Sequence, residues 1–155
     1  MMMGKRQGMY APTGVMDGKC HVFPLRVYYE DTDAGGVMYY ARYFYFAERA
    51  RSEFLRCCSV AEDMHGVARH EGCVFVVVHV CADYRMPAML HDCVMMETSL
   101  CGVKRASFEM RQILRREEDM LFDARVKLAC VSAESMDVKA LPEKMFSVLS
   151  RMVSP

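Results

Sequence analysis

Between residues 28 and 56 the chain reads YYEDTDAGGVMYYARYFYFAERARSEFLR, and no other stretch restricts the possible folds as much. Val27 and the aromatics that follow it alternate in a way that favours the tail of a β-strand. A turn comes next. Asp31 and Asp33 stand two apart, and the adjacent Gly35 and Gly36 open backbone angles that a β-carbon forbids. From Tyr39 onward the spacing predicts a helix. Tyr43, Ala47, Ala50, Phe54 and Cys57 recur at steps of four and three, with Arg42, Arg49, Glu53 and Arg56 opposite them. One face of this helix must be buried.

The start of such a helix has its own chemistry. Its first N–H groups lack partners inside the helix, and the aligned peptide dipoles leave about half a positive charge there. An acyl group resting its carbonyl oxygen on the N–H of Tyr40 would be polarised, and a carboxylate from the preceding loop could attack the carbonyl carbon or activate a water. Strand, acidic turn and helix start together suit acyl transfer. An aspartate that merely caps a turn is common, but capping alone does not call for two aspartates and two glycines in this setting.

The remaining chain is read from its length and periodicity. With 155 residues and 53% hydrophobic content it can bury one good core, which predicts one domain over residues 20–155. Residues 1–19 hold glycines, a proline and no sustained period, and are expected to be a disordered or loosely attached extension; Met9 or Met16 could equally begin the chain, and no signal peptide is recognisable. Basic and acidic residues balance at 20 each, so no field recruits nucleic acid or an anionic membrane. Eight cysteines contain no CxxC pair, which favours free thiols in a reducing, cytoplasmic setting over a disulfide scaffold. The longest apolar run, 73–82, is interrupted by His79 and is about half the ~20 residues of a membrane-spanning helix, so no membrane insertion is expected.

A first strand is predicted over residues 20–30, with Pro24 near its beginning, and a turn and loop over 60–70. Four strand-like runs follow, near 72–85, 92–103, 106–116 and 121–133, joined by connections short enough for antiparallel neighbours. One strand, one long helix and four strands is an α+β order, a five-stranded antiparallel sheet wrapped around the helix. Pro142 opens a short terminal helix over 142–152. His65 and His70 would fall on different helix faces without a third ligand, His21 and His91 are isolated, and His79 interrupts a strand, so no metal site is expected. Such a sheet keeps an edge and a partly apolar face in want of cover, which makes a monomer the poorer expectation.

The segment VYYEDTDAGGVMYYARYFYFAERARSEFLR resembles the signature of the hot-dog-fold acyl-CoA thioesterases, in the 4-hydroxybenzoyl-CoA thioesterase branch and, within it, the Tol-Pal-associated members. AMLHDCVMMETSL, KRASFEMRQ and VKALPEKM continue the resemblance in the expected order, so it spans roughly residues 20–146. It implies a hot-dog fold and hydrolysis of an acyl-CoA, with coenzyme A part of the substrate and no cofactor. Acyl carrier protein is an alternative donor. By the same resemblance Asp33 is the catalytic aspartate, as nucleophile or general base, and the Tyr40 amide is the oxyanion donor. Family members usually carry His at that last position, so an assisting imidazole is not expected here. Lys104 and Arg105, in the hairpin between two predicted strands, are implied to bind coenzyme A phosphates, which cations at a turn suit. A homodimer or homotetramer with sites between subunits is implied as well. Another hot-dog branch uses an acid on the central helix, but Glu48 lies too far along it to share the Tyr40 position. The alternatives are a non-catalytic scaffold that binds acyl-CoA or acyl carrier protein, and a hot-dog hydratase or dehydratase, which would want a histidine that the acidic loop lacks.

Overall fold

A computed structural model describes residues 12–58 and 72–155. Strands β1 (Val15–Asp17), β2 (Cys20–Arg26), β3 (Cys73–Tyr84), β4 (Cys93–Lys104), β5 (Ser107–Arg116) and β6 (Asp119–Ser132) form one sheet, with helices α1 (Arg42–Cys57) and α2 (Glu143–Met152). The strand order is β1-β2-β4-β5-β6-β3 and every neighbour is antiparallel. The described part of the connection after α1 ends at Cys58, and β3 then pairs with β6 at the far edge, so the helix is carried across the sheet.

Alternation decides which face meets the helix. Val94, Met96, Thr98 and Leu100 of β4, Phe108, Met110, Gln112 and Leu114 of β5, and Phe122, Ala124, Val126, Leu128 and Cys130 of β6 are buried at every second position. Against them α1 sets Tyr43, Phe46, Ala47, Ala50, Phe54 and Leu55. Small alanines let the helix approach, and the phenylalanines fill the space on either side. A small polar cluster sits at this seam. The Gln112 amide donates to the Ala47 carbonyl at 2.8 Å and to Thr98 Oγ1 at 3.0 Å, while its oxygen accepts from Arg51 Nη1 at 2.9 Å, so its burial leaves no hydrogen bond unmade. This is the hot-dog architecture.

Four expectations need correction. The sheet has six strands and not five, because part of the supposed extension over 1–19 joins it as β1. Gly14, at φ +73°, makes this possible: a β-carbon there would lie 2.4 Å from the Val22 carbonyl oxygen. Beside it the fully buried His21 ring bonds the Thr13 carbonyl through Nε2 at 2.7 Å, so a histidine that seemed isolated pins the incoming segment. The first strand stops at Arg26, and a short 3-10 turn, Tyr29–Asp31, replaces its expected end. Helix α1 begins at Arg42, not Tyr39, and Cys57 on its last turn is exposed. The turn and loop expected over 60–70, with His65 and His70, lie outside the described residues.

Among the described residues strand β3 is bonded on one side only. It exposes Val77, Val78 and Val80 around a bulge between Val77 and His79, and His79 itself is exposed. A twelve-residue apolar edge of this kind is a pairing surface.

Candidate active site

The acidic turn is built by folding the chain back on itself. Thr32 and Met38 form an antiparallel bridge, the Asp33 N–H donates to the Val37 carbonyl at 3.0 Å, and the Gly36 N–H closes the turn onto the Asp33 carbonyl at 3.0 Å. Gly36 holds φ +78°, a left-handed angle that glycine takes without steric cost.

Its two carboxylates have opposite surroundings. Asp31 is 1% exposed. Its Oδ1 accepts from Arg42 Nε at 2.8 Å and lies 2.7 Å from Arg42 Nη2, its Oδ2 accepts from the Tyr28 N–H at 2.9 Å, and its carbonyl accepts from the Tyr39 N–H at 2.8 Å. This side chain ties the first residue of α1 to the strand end and is fully used. Asp33 is exposed, and its Oδ1 accepts from the Gly35 N–H at 2.7 Å. Among the described residues its Oδ2 has no hydrogen-bond donor and no cation within ion-pair distance. One oxygen is anchored and the other is free to meet a reactant.

The turn is fixed to the body from below. The buried Met38 donates its N–H to the Ala88 carbonyl at 2.8 Å, Val37 bridges Met89, and the Ala88 N–H donates to the hydroxyl of Tyr43 on α1 at 3.0 Å. Burial pushes the Tyr43 phenol above its ordinary range, so it stays neutral as an acceptor. Above the turn lie the exposed Tyr39 and Tyr40, their rings 4.8 Å apart. Hydrogen bonding to the Tyr40 side chain, and to a smaller extent the Asp33 charge, raise the Tyr39 phenol.

Tyr40 lies two residues ahead of α1, in a turn closed by the Arg42 N–H donating to the Tyr39 carbonyl at 2.9 Å. Its own N–H has no acceptor among the described residues, so the amide named from sequence is free, although it belongs to the approach to the helix. Met38, Tyr40, Tyr43, Tyr84, Arg85, Met86 and Pro87 line a cavity of about 240 Å³ beside it. An acyl carbonyl on that amide would meet the apolar walls of this cavity, and the Asp33 carboxylate is near enough to the adjoining Tyr39 for its charge to act on that phenol.

The basic pair is not brought to this place. Lys104 lines a groove of about 270 Å³ on the outward face of the sheet with Cys101, Ser107, Glu109, Arg125 and Lys127, whereas Arg105 is absent from it and gives its carbonyl to the Leu141 N–H at 2.8 Å. Along β6 the groove's Arg125 and Lys127 are three and five residues from Phe122, which packs on Tyr43 and Tyr84, hence about 10 to 17 Å away at ~3.4 Å per residue. Glu48 accepts from Ser52 Oγ at 2.8 Å on an exposed part of α1 and takes no part in the turn. Sequence reasoning missed Arg42, Tyr43 and Tyr84. The first read as a charge on the solvent side of the helix and the others as core or strand aromatics, and their polar partners lie 11 to 45 residues away.

Fold and site together define a hot-dog enzyme of acyl transfer, and comparison with known proteins narrows this. The sequence pattern of the Thioesterase-like superfamily matches residues 27–149. The chain is 44% identical over 123 residues to the acyl-CoA thioesterase YbgC of Haemophilus influenzae, covering 79% of this chain and 89% of that one. It is 38% identical over 124 residues to the acyl-CoA thioester hydrolase YbgC of Escherichia coli O6:H1, covering 79% and 90%. Among solved structures, a probable thioesterase from Bartonella henselae superposes with a TM-score of 0.69 at 34% identity, covering 80% of this chain and 98% of that one. The chain belongs to the Thioesterase-like superfamily and is a thioester hydrolase.

Proposed function

We propose that the protein hydrolyses acyl-CoA thioesters, with Asp33 supplying the attack and the Tyr40 amide receiving the oxyanion. The observation that carries this reading is the unpaired Oδ2 of Asp33 on a rigidly tied turn, next to a helix approach whose Tyr40 N–H has no acceptor among the described residues. The thioester carbonyl rests on that N–H, water or the carboxylate adds to the carbonyl carbon, and the developing O⁻ gains the hydrogen bond and the helix field. Collapse breaks the C–S bond and the coenzyme A thiolate leaves. Where water attacked, the thiolate takes the proton that Asp33 drew from that water. Where the carboxylate attacked, a water then hydrolyses the mixed anhydride to the free acid and regenerates Asp33, the water's second proton going to the thiolate. The acyl-CoA thioesterase names of the relatives in Haemophilus influenzae and Escherichia coli support the substrate class.

A second copy completes the site. The exposed β3 edge pairs antiparallel with its counterpart across a two-fold axis, which covers the valines and reverses the ends of the sheet. In that homodimer Lys104 and Arg105 of one chain come toward the Asp33 end of the other and take the phosphates of coenzyme A. The acid and the cations, apart along one chain, then serve one ligand.

The test is free-thiol release from a panel of acyl-CoAs of graded chain length, run beside sedimentation. Hydrolysis by a dimer is expected. Tight binding without thiol release would replace this reading by the scaffold that binds acyl-CoA or acyl carrier protein. Single-turnover hydrolysis in ¹⁸O-water then bears on the two roles of Asp33: label in the aspartate means an acyl-enzyme anhydride opened at the aspartyl carbon. Where label appears only in the product acid, trapping with hydroxylamine separates an anhydride opened at the acyl carbon from direct general-base attack by water.

A further inference from the structure

The carbonyl of Tyr40 presents a question that the oxyanion reading leaves open. In a regular helix it would accept from the N–H of Phe44, but Phe44 donates to Ala41 at 3.2 Å and Arg42 to Tyr39 at 2.9 Å, so no backbone amide among the described residues reaches it. Its partner is a side chain from across the sheet. The hydroxyl of Tyr84, last residue of β3, donates to it at 2.8 Å, 44 positions away in sequence. The Tyr84 ring stands edge-on to Tyr43, centroids 5.1 Å apart at 87°, and edge-on to Phe122 at 5.2 Å and 60°. Two aromatic contacts fix where the hydroxyl points. Burial, and then the neighbouring Tyr43 and Tyr40 phenols, push its ionisation upward, so it remains a donor.

We infer that Tyr84 is a positioning residue for the hydrolytic step: by clamping the Tyr40 carbonyl it sets the plane of the Tyr40–Ala41 peptide, which carries the free Ala41 N–H, and restrains rotation about the Tyr40 Cα that would swing the free Tyr40 N–H relative to it. Neither the Tyr40 nor the Ala41 N–H has an acceptor among the described residues, and the segment lies before the helix ladder that would otherwise hold it. An oxyanion donor helps only when its direction is set before the charge develops. With the clamp removed, that segment reorients at each turnover. Substrate binding, which draws on the cavity walls and the coenzyme A contacts, is left largely intact.

This inference rests on the reading of the Tyr40 amide as oxyanion donor, and the experiment separates the two. Tyr84→Phe keeps the ring and removes the hydroxyl. Its kcat is expected to fall about ten- to a hundredfold, the range for a misplaced catalytic group, with KM within about twofold and the thermal midpoint nearly unchanged. The amide resonances of Tyr40 and Ala41 in a ¹H–¹⁵N spectrum should move, a readout that needs no substrate. Tyr84→Leu should lose as much kcat as Tyr84→Phe, with added loss of stability from the missing ring. Wild-type kcat in Tyr84→Phe, a kcat loss confined to Tyr84→Leu, or unmoved Tyr40 and Ala41 resonances would each overturn the inference. Failure of the underlying reading looks different from failure of the clamp: Tyr84→Phe would keep wild-type kcat while the Tyr40 and Ala41 resonances still moved, whereas a clamp that does not exist leaves those resonances where they were.

Discussion

Asp31 and Asp33 are two residues apart on one turn, yet they are as unlike as two carboxylates of a small protein can be. Asp31 is withdrawn from solvent and spends both oxygens and its carbonyl on Arg42, Tyr28 and Tyr39. Asp33 faces outward, with one oxygen held by Gly35 and the other unclaimed among the described residues. The buried acid builds the frame, and on the proposed function the exposed one is the reagent that the frame presents. If this division is right, substitutions at the two positions must fail in different ways: the first in stability, the second in rate.

The largest effect is expected at Asp33. Asp33→Asn keeps an oxygen for the Gly35 N–H and nearly the same shape, so stability should stay within about 0.5 kcal/mol of wild type, as for a surface change. Turnover should fall by about a thousandfold or more, because an amide is neither a nucleophile nor a base. Thiol release and a thermal melt on the same preparation check both halves. Near-normal turnover would remove Asp33 from the chemistry and collapse the contrast.

At Asp31 the order reverses. Asp31→Ala leaves the Arg42 guanidinium, whose side chain is 21% exposed, with the longer 3.7 Å contact to the exposed Glu30, and leaves the Tyr28 N–H without its acceptor. Removing one member of a buried pair costs about 3 kcal/mol, read as a shift in the urea midpoint, while residual activity should exceed that of Asp33→Asn. Pairing the change with Arg42→Ala in a double-mutant cycle isolates the coupling. A fully stable, inactive Asp31→Ala would assign the chemistry to the wrong aspartate.

Tyr43→Phe tests the frame one step deeper. It removes the acceptor of the Ala88 N–H while the ring still packs on Phe122 and Tyr84. A buried donor left unmet costs about 1–3 kcal/mol. Because Ala88 in turn accepts from Met38, activity should fall modestly along with stability, measurable as a lower kcat at temperatures well below the melt.

How much of this could be read in the sequence follows the range of the forces involved. Strands β4, β5 and β6 announce themselves because alternation is a local pattern, and the stripe from Tyr43 to Phe54 because helical spacing is. The acidic turn is legible for the same reason, since the glycines and aspartates that shape it are contiguous. β1 is not, because three residues carry no period and its place depends on Gly14 and His21. The helical spacing predicts a start three residues early, because Tyr39, Tyr40 and Ala41 fit that spacing but are held in a turn by bonds with Asp31 and Tyr84. Lys104 and Arg105 are neighbours in the chain, yet only one of them lines the groove.

The smallest expected effect gives the sharpest test of the turn, because two adjacent glycines should respond differently. At Gly36 a β-carbon would meet nothing within 4 Å, but φ is +78°, so Gly36→Ala should cost about 1 kcal/mol through backbone conformation alone. At Gly35 φ is not left-handed, but the added carbon would stand 3.0 Å from Asp33 Oδ1, tighter than ordinary contact. Gly35→Ala should therefore spare stability and disturb the carboxylate, raising the barrier to hydrolysis without moving the melt. Measuring kcat and the thermal midpoint for both variants sets rate against stability within one dipeptide. If Gly35→Ala left kcat unchanged, the Gly35 anchor would have no bearing on the free oxygen, and the turn would serve only to reverse the chain.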